Sequence, residues 1–244
     1  MNRALNADAP VNQSVERAVR LLGFFSPEEP ELTLARLTEL LGTSKATTHR
    51  YTLALRRVGL LRFDSGTGVY SLGPRIVELA ATALAGLRIV RIAGPTMERL
   101  VAELNETVVL SIWDGEQPTV VRVDDNTDRL VRIVVRTGAR LPRVESAQGK
   151  VFLAFGPDAA ELEEDERDSI YATRIAVNSQ VVEGIRAIAT PIFQGEEAIA
   201  AMALVGTISS LPEDARSEPA VRLRAAAEGL SAELGFLTAE RSSA

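Results

Sequence analysis

The fold of the N-terminal region is decided by the segment SKATTHRYTLALRRV, residues 44–58. Ser44 is placed to cap a helix that runs to Val58 and ends before Gly59. At 100° per residue, one face of this helix carries Thr48, Tyr51, Thr52, Leu55 and Val58, and the other carries Ala46, Arg50, Leu53 and Arg57. One face is therefore predicted to pack, and the other is free to meet a partner.

Two shorter helices are predicted ahead of this segment. The first is capped by Ser14 and carries an apolar stripe from Val15 to Leu22. The second follows Thr33 and stops at Gly42. A short helix, a glycine turn and a longer basic helix form a helix-turn-helix arrangement.

A β-hairpin is predicted directly behind this arrangement, where residues 60–63 and 69–72 flank a turn with two glycines. A hairpin in this position is a wing. A helical pattern then leads from Arg75 to Gly94-Pro95, where a break is expected, and a further helix ends near Leu104. We expect a winged helix-turn-helix domain at 1–74, a linker helix at 75–90 and a second domain at 91–244.

The second domain alternates predicted strands and helices, which indicates an α+β fold with a mainly antiparallel sheet. Strands are predicted at 107–113, 119–124 and 130–136, a helix at 148–155, a hairpin from 184–192 and 198–205, and a closing helix at about 218–240.

The net charge of the chain is -6, and the charge is unevenly distributed between its two parts. Residues 1–75 hold ten basic and seven acidic side chains, whereas residues 76–244 hold seventeen and twenty-six. Five basic residues and no carboxylate lie within 41–62. This excess is typical of a face that binds a polyanion.

The basic helix predicts contacts with double-stranded DNA. Small residues near its N-terminal end let it approach base edges, and Arg50 can reach a guanine edge or a phosphate. Lys45, Arg56, Arg57 and Arg62 are expected to contact phosphates, and His49 to pack or to contact a phosphate. The predicted DNA-binding residues are Ser44, Lys45, Ala46, Thr47, His49, Arg50, Arg56, Arg57 and Arg62.

Composition excludes several other classes of protein. The chain has no cysteine and one histidine, which removes disulfides, thiolate nucleophiles and sites that need two imidazoles. It has no membrane-spanning run and no signal peptide, so we expect a cytoplasmic protein without metal or cofactor. The alternatives to a regulator are an enzyme with an N-terminal oligomerisation module and a constitutive architectural DNA binder.

A small-molecule site is predicted in the second domain. The first strand there places Thr107, Val109, Ser111 and Trp113 on one face, and this mixture of polar and aromatic groups is typical of ligand pockets. Alanines on the later hairpin, such as Ala187 and Ala203, leave either space for a ligand or room for a close helix contact. Trp113 is expected either to stack on the ligand or to belong to the core.

Seven segments together resemble the IclR (isocitrate lyase regulator) family of bacterial transcription factors. They are SVERA (14–18), LTLARL (32–37), SKATTHR (44–50), YSLGPR (70–75), TGARLP (137–142), SAQGK (146–150) and VEGIRAIATPI (182–192). The resemblance implies a winged helix-turn-helix joined by a helix to a GAF-like effector domain. It also implies dimers or tetramers and ligand-controlled repression or activation.

The resemblance also suggests what the effector is. Family members that take small carboxylic acids tend to carry Cys or Ser where this chain has Ala187, Ala203 and Val205, and they receive the carboxylate on backbone amides matched by residues 146–149. An unpaired buried polar group costs ~1–3 kcal/mol, so a larger, more apolar or aromatic effector is expected here. The predicted effector-binding residues are Thr107, Ser111, Trp113, Ser146, Ala147, Gln148, Gly149, Asn178, Ala187, Ala203 and Val205.

These observations predict an effector-responsive, DNA-binding transcriptional regulator, not an enzyme. We expect it to act as a repressor of a catabolic operon. Its expected partners are a double-stranded DNA operator, a small organic effector and further copies of itself, as a dimer or tetramer.

Overall fold

The computed structural model describes residues 12–125, 133 and 135–235. The chain divides into two compact units, residues 1–86 and 87–244. The described parts of each unit form their own hydrophobic core, and each unit carries one of the two surfaces that the sequence singles out.

The first unit is a winged helix-turn-helix, as predicted. Its elements are α1 (Gln13–Leu22), β1 (Leu32–Thr33), α2 (Leu34–Leu41), α3 (Lys45–Arg57), β2 (Leu61–Asp64), β3 (Val69–Leu72) and α4 (Pro74–Gly86). The strands form an antiparallel sheet in the order β1-β3-β2. The wing is the β2–β3 hairpin, whose turn is held by backbone N–H groups that donate to the carboxylate of Asp64.

Side-chain caps explain where the helices of this unit begin. The hydroxyl of Ser44 accepts from the N–H of Thr47 at the start of α3, as predicted. The prediction that Ser14 caps α1 is wrong. Asn12 has the non-helical backbone that a cap requires, and its side-chain oxygen accepts from the N–H of Ser14, which already lies in the first helical turn.

The core of the first unit forms where α1, α2 and α3 meet the sheet. Leu21, Leu37, Tyr51 and Leu55 are buried there, and the apolar spacing along each helix accounts for this. Val58 was expected on the packing face but is 57% exposed, because α3 ends at Arg57 and Val58 only closes its last turn.

The helical stretch predicted from Arg75 to Leu104 is interrupted at one residue. Leu87 has φ -81° and ψ 95°, outside the helical region, and separates α4 from α5 (Arg88–Leu104). The break was expected at Gly94-Pro95, but both residues lie inside α5. Pro95 is on the exposed side of α5, and the buried side holds Ala93 and Met97.

The second unit is built on a five-stranded antiparallel sheet in the order β5-β4-β8-β7-β6. Besides α5 it comprises β4 (Thr107–Trp113), β5 (Pro118–Asp124), α6 (Ala147–Ala154), a 3-10 turn (Ala159–Glu161), α7 (Glu164–Thr173), β6 (Ala176–Asn178), β7 (Ile185–Gln194), β8 (Glu197–Thr207) and α8 (Glu218–Glu233). Helix α6 covers the sheet face that carries Ala189, Ala201 and Ala203. Helices α5 and α8 pack on the sheet and on each other.

Most of the predicted elements of this unit are present. The strand predicted at 130–136 falls largely on residues outside the described ranges, and residues 133, 135 and 136 are not in a strand. The closing helix is described to Glu233, and the rest of its predicted length, beyond residue 235, also lies outside. Strand β6 was not predicted, because three residues are too few to show a period of two.

Candidate DNA-binding face and effector cavity

Helix α3 presents a continuous exposed face in the first unit. Lys45, Ala46, His49, Arg50 and Arg57 are exposed. The buried residues Thr48, Tyr51, Thr52 and Leu55 anchor the other face. Ser44, Arg56 and Arg62 are also exposed and Thr47 is half-buried. The structure therefore brings the predicted DNA-binding residues together on α3 and the start of the wing.

The positive charge of this face is not neutralised locally. None of Lys45, Arg50, Arg56, Arg57 and Arg62 makes an ion pair with any described residue. By contrast, other surface arginines are paired, such as Arg36 with Glu39. Four of these unpaired cations lie on α3 and the fifth, Arg62, lies on the wing. Such a surface attracts a polyanion, and the width of a helix fits the DNA major groove.

One of these cations is braced against the wing. The guanidinium of Arg56 lies over the ring of Phe63, 4.9 Å from its centroid. Phe63 in turn packs on Tyr70, with 4.8 Å between the ring centroids. This stack orients Arg56 along the start of the wing.

A cavity of about 500 Å³ opens in the second unit, between the loop that precedes α6, strand β6 and the ends of β7 and β8. Its walls are mostly apolar. They are formed by Ile133, Val135, Arg136, Ala139, Leu141, Pro142, Ser146, Ala147, Gln148, Asn178, Val181, Val182, Ile185, Ala187 and Val205. A concave, apolar site with a few polar groups is the usual form of a small-molecule site.

Six of the predicted effector-binding residues line this cavity. They are Ser146, Ala147, Gln148, Asn178, Ala187 and Val205. The remaining predicted residues do not line it and are placed elsewhere in the unit: Thr107 and Ser111 are buried in β4, Gly149 is buried in α6, and Ala203 is buried in β8. The hydroxyl of Ser111 has no hydrogen-bond partner among the described residues.

The alanines on the hairpin have two kinds of surroundings. Ala189, Ala201 and Ala203 are fully buried beneath α6, so their small side chains allow a close helix contact. Ala187, near the end of the same face, borders the cavity.

Trp113 was also predicted to bind the effector or to belong to the core, and it does not line this cavity. The centroid of the Trp113 ring lies 5.5 Å from the centroid of the Phe152 ring. The guanidinium of Arg143 lies 5.0 Å from the centroid of the Trp113 ring. Trp113 therefore packs against the core and lines a separate cleft of about 330 Å³.

The cavity-lining loop is held in place by Arg143. Its guanidinium donates to the carboxylates of Glu161 and Asp158 and to the backbone oxygen of Glu116. The hydrogen bonds that Arg143 donates to Glu161 and Asp158 raise the pKa of Arg143 above its usual range. The loop is thereby fixed to the β4–β5 turn and to the segment behind α6.

A second tie joins the cavity wall to the β4–β5 turn. Arg140 donates to Asp114 at 2.8 Å and to Glu116 at 2.9 Å. Burial opposes ionisation of Asp114, but hydrogen bonds from the N–H groups of Gln117 and Glu116 and from Arg140 outweigh it and lower the pKa of Asp114 to about 2. Asp114 is therefore ionised at neutral pH and holds Arg140.

Sequence reasoning missed most of the apolar wall. Leu141, Val181, Val182 and Ile185 were not proposed, although Leu141 and residues 182–185 lie in segments that carry the family resemblance. Leu141, Val181 and Val182 lie in loops, where apolar side chains follow no helix or strand period, and Ile185 is the first residue of β7. The partial exposure of Val181 and Val182, at 47% and 55%, is visible only in the fold.

The described residues contain no group of three or more His, Asp or Glu side chains arranged to hold a metal ion. Within the same residues, no helix is both long enough and apolar enough to cross a bilayer.

Comparison with known proteins identifies the family. The IclR helix-turn-helix domain matches residues 14–65, and the C-terminal domain of bacterial IclR regulators matches residues 81–167. The chain belongs to the IclR family. It is a DNA-binding transcriptional regulator with an N-terminal helix-turn-helix domain and a C-terminal effector-binding domain.

Individual IclR-family relatives resemble this regulator over most of its length. The HTH-type transcriptional regulator KipR of Bacillus subtilis is 29% identical, over 92% of this chain and 98% of KipR. The DNA-binding transcriptional repressor YiaJ of Escherichia coli is 30% identical, over 60% of this chain and 52% of YiaJ. A solved IclR regulator from Silicibacter sp. TM1040 superposes with a TM-score of 0.80 at 25% identity, covering 92% of this chain and 97% of that one.

Proposed function

We propose that this regulator is an effector-controlled repressor of a catabolic operon, and that the cavity in its second unit is the effector site. The observation that carries the proposal is the pairing of an exposed, unneutralised basic helix in one unit with an apolar cavity in the other. The name of the E. coli relative YiaJ, a transcriptional repressor, supports repression as the sign of control.

On DNA, α3 enters the major groove and the wing follows the neighbouring backbone. Arg50 lies on the exposed face of α3 and has no ion-pair partner among the described residues, so it is available for a guanine edge. Arg57, in the last turn, and Arg62, on the wing, contact phosphates and set position without reading sequence.

The active form is an oligomer assembled through the first unit. Helix α4 carries an apolar stripe at Ile76, Leu79, Ala80 and Ala83, with the i, i+3, i+4, i+7 spacing of a packing face, yet no residue of α4 is buried. Val15 and Val19 of α1 are also exposed, at 57% and 61%. A second copy of the chain covers this stripe and sets paired recognition helices about 10 bp, or a multiple of it, apart on a two-fold operator.

A gel-shift titration on the DNA upstream of the regulator's own gene tests the proposal. The wild-type protein is expected to prefer this DNA to a scrambled duplex at physiological salt. Arg50→Ala should weaken specific binding by ~1–3 kcal/mol and relax base discrimination, whereas Arg57→Ala should weaken binding to both duplexes alike. Equal affinity of the wild-type protein for the two duplexes would contradict the proposal.

A further inference from the structure

One buried polar side chain in the wall of the cavity lacks a hydrogen-bond partner. Gln148 is 3% exposed and lines the cavity, and its carboxamide makes no hydrogen bond to any described residue. A carboxamide offers two N–H donors and an oxygen with two lone pairs, and in Gln148 these atoms are not fully enclosed by protein. Gln148 is therefore placed to meet groups that a bound molecule supplies.

The other neutral polar side chains of the cavity wall already have partners. The hydroxyl of Ser146 donates to the backbone oxygen of Pro142 and accepts from the N–H of Gly149. The carboxamide of Asn178 donates to one backbone oxygen and accepts from two backbone N–H groups of the neighbouring loops. Gln148 is thus the polar side chain left to read the ligand.

The backbone beside Gln148 adds donors. Ser146 caps α6, and the first intrahelical bond runs from the N–H of Lys150 to the backbone oxygen of Ser146. The N–H groups of Ala147 and Gln148 precede that bond and find no acceptor among the described residues. They favour an oxygen atom on the ligand, next to the Gln148 side chain.

The described lining residues offer a charged head group no free side chain of opposite charge. Arg136 is the one charged residue among the described lining residues, and it is exposed and already makes an interaction within the protein. A carboxylate can only accept hydrogen bonds, so it would leave the oxygen of Gln148 unmatched. A neutral head that carries a donor beside an acceptor satisfies both ends of the carboxamide.

The volume sets the size of the rest of the ligand. A dry apolar cavity of about 150 Å³ holds one benzene molecule. The cavity here is about 500 Å³ and is walled by aliphatic side chains such as Val135, Leu141 and Ile185. A single aromatic ring would leave much of this space unfilled.

We propose that Gln148 is the specificity-determining residue for an effector with a neutral donor–acceptor head, a primary amide or a lactam, on an apolar body at least as large as two fused rings. This inference rests on the proposed function only in taking the cavity as the effector site.

Calorimetric titration of the full-length protein, without DNA, tests the inference with three probes: naphthalene-2-carboxamide, naphthalene-2-carboxylate and benzamide. The naphthyl amide is expected to bind at least about tenfold more tightly than either of the other two. Gln148→Leu, which keeps the side-chain size, should lower its affinity by a similar factor and leave the carboxylate unchanged. Gln194→Leu, at an exposed glutamine outside the cavity lining, is the matched control and should bind all three probes as wild type does.

The inference is overturned if the carboxylate binds as tightly as the amide, if benzamide matches the naphthyl amide, or if none of the probes binds at about 1 mM, where even weak complexes form. It is also overturned if a folded Gln148→Leu protein keeps wild-type affinity for the amide. Should that variant fail to fold, the comparison of the three probes on the wild-type protein decides by itself. The gel shift on upstream DNA is independent of these titrations. If the wild-type protein does not prefer that DNA to a scrambled duplex, the proposed function is rejected and the ligand result still stands.

Discussion

Gly149 in α6 and Arg143 in the preceding loop approach so closely that a Cβ atom on Gly149 would collide with the backbone oxygen of Arg143. The loop carries Pro142, which lines the cavity, and the side chain of Arg143 ties it to Glu161. The absence of a side chain at Gly149 therefore determines how closely this loop of the cavity wall approaches α6.

Gly149→Ala is expected to destabilise the second unit by ~1–3 kcal/mol or more, because backbone atoms on both sides of the contact must move apart. Urea unfolding measures the loss. Gly229→Ala is the matched control: Gly229 also lies within a helix, α8, but a Cβ there meets no atom within 4 Å. That change should be neutral or stabilise by up to ~1 kcal/mol. Equal effects of the two substitutions would show that the close approach does not constrain the fold.

Ala203→Leu and Ala187→Leu are expected to have different effects although both enlarge an alanine on the same sheet face. Ala203 is fully buried beneath α6, so leucine there should overpack the core, cost ~1–3 kcal/mol and lower the melting temperature. Ala187 borders the cavity, so leucine there should fill space, keep the fold and operator affinity, and abolish the effector response. One thermal melt and one gel shift per variant separate the two. A destabilised Ala187→Leu protein with Ala203→Leu unaffected would reverse the assignment.

The sequence was sufficient to predict the DNA-binding unit because its signals are local. Ser44 caps α3, Gly42 ends α2 with a φ of +68°, and the buried face of α3 follows the helical period. These features depend on neighbours within a few residues. The helix break at Leu87 has no such signal, since leucine is a good helix former, and it differs from the break that Gly94-Pro95 predicted.

The cavity of the second unit was only partly predictable because it is assembled by long-range pairing. Ala187 and Ala203 share one face by strand alternation, as predicted, but which of them meets α6 and which meets open space depends on where the helix ends over the sheet. Loop residues such as Val182 reach the cavity through tertiary placement alone.

Arg57→Ala should reduce the salt dependence of DNA binding. Each phosphate contact releases a counterion, so losing one contact lowers the slope of log K against log salt by about 0.9. Arg36→Ala is the control, because Arg36 is an exposed arginine of the same unit that is paired with Glu29 and Glu39. Gel shifts at several salt concentrations give both slopes. An unchanged slope for Arg57→Ala would remove this residue from the phosphate-binding set.

Leu79→Glu with Ala83→Glu should dissociate the oligomer, because two carboxylates one helical turn apart would be buried in the interface between copies. Sedimentation at micromolar protein is expected to show monomer, and operator affinity should fall with it. Thr82→Glu adds a carboxylate to the polar side of α4, which also carries Arg75 and Glu78, and should leave the assembly intact. A wild-type protein that sediments as a monomer with full operator affinity would contradict assembly through α4.

Asp114→Asn is expected to destabilise the second unit in a pH-dependent manner. The pKa of Asp114 is lowered to about 2, so the carboxylate binds a proton less readily in the folded state than in the unfolded chain. Its contribution is therefore complete above pH ~4, close to the unfolded value, and is lost as the pH falls towards about 2. Because the side chain is 27% exposed, we expect the substitution to lower the free energy of unfolding at pH 7 by roughly 1–2 kcal/mol, less than the full shift would give.

Urea unfolding of the wild-type and Asp114→Asn proteins at pH 7, 4 and 3 measures the difference, which should shrink from pH 4 to pH 3. Glu196→Gln, at an exposed carboxylate without an ion pair among the described residues, should show little difference at any of these pH values. A penalty for Asp114→Asn that is the same at pH 7 and pH 3 would mean that its hydrogen bonds, and not its charge, hold Arg140 and the cavity wall.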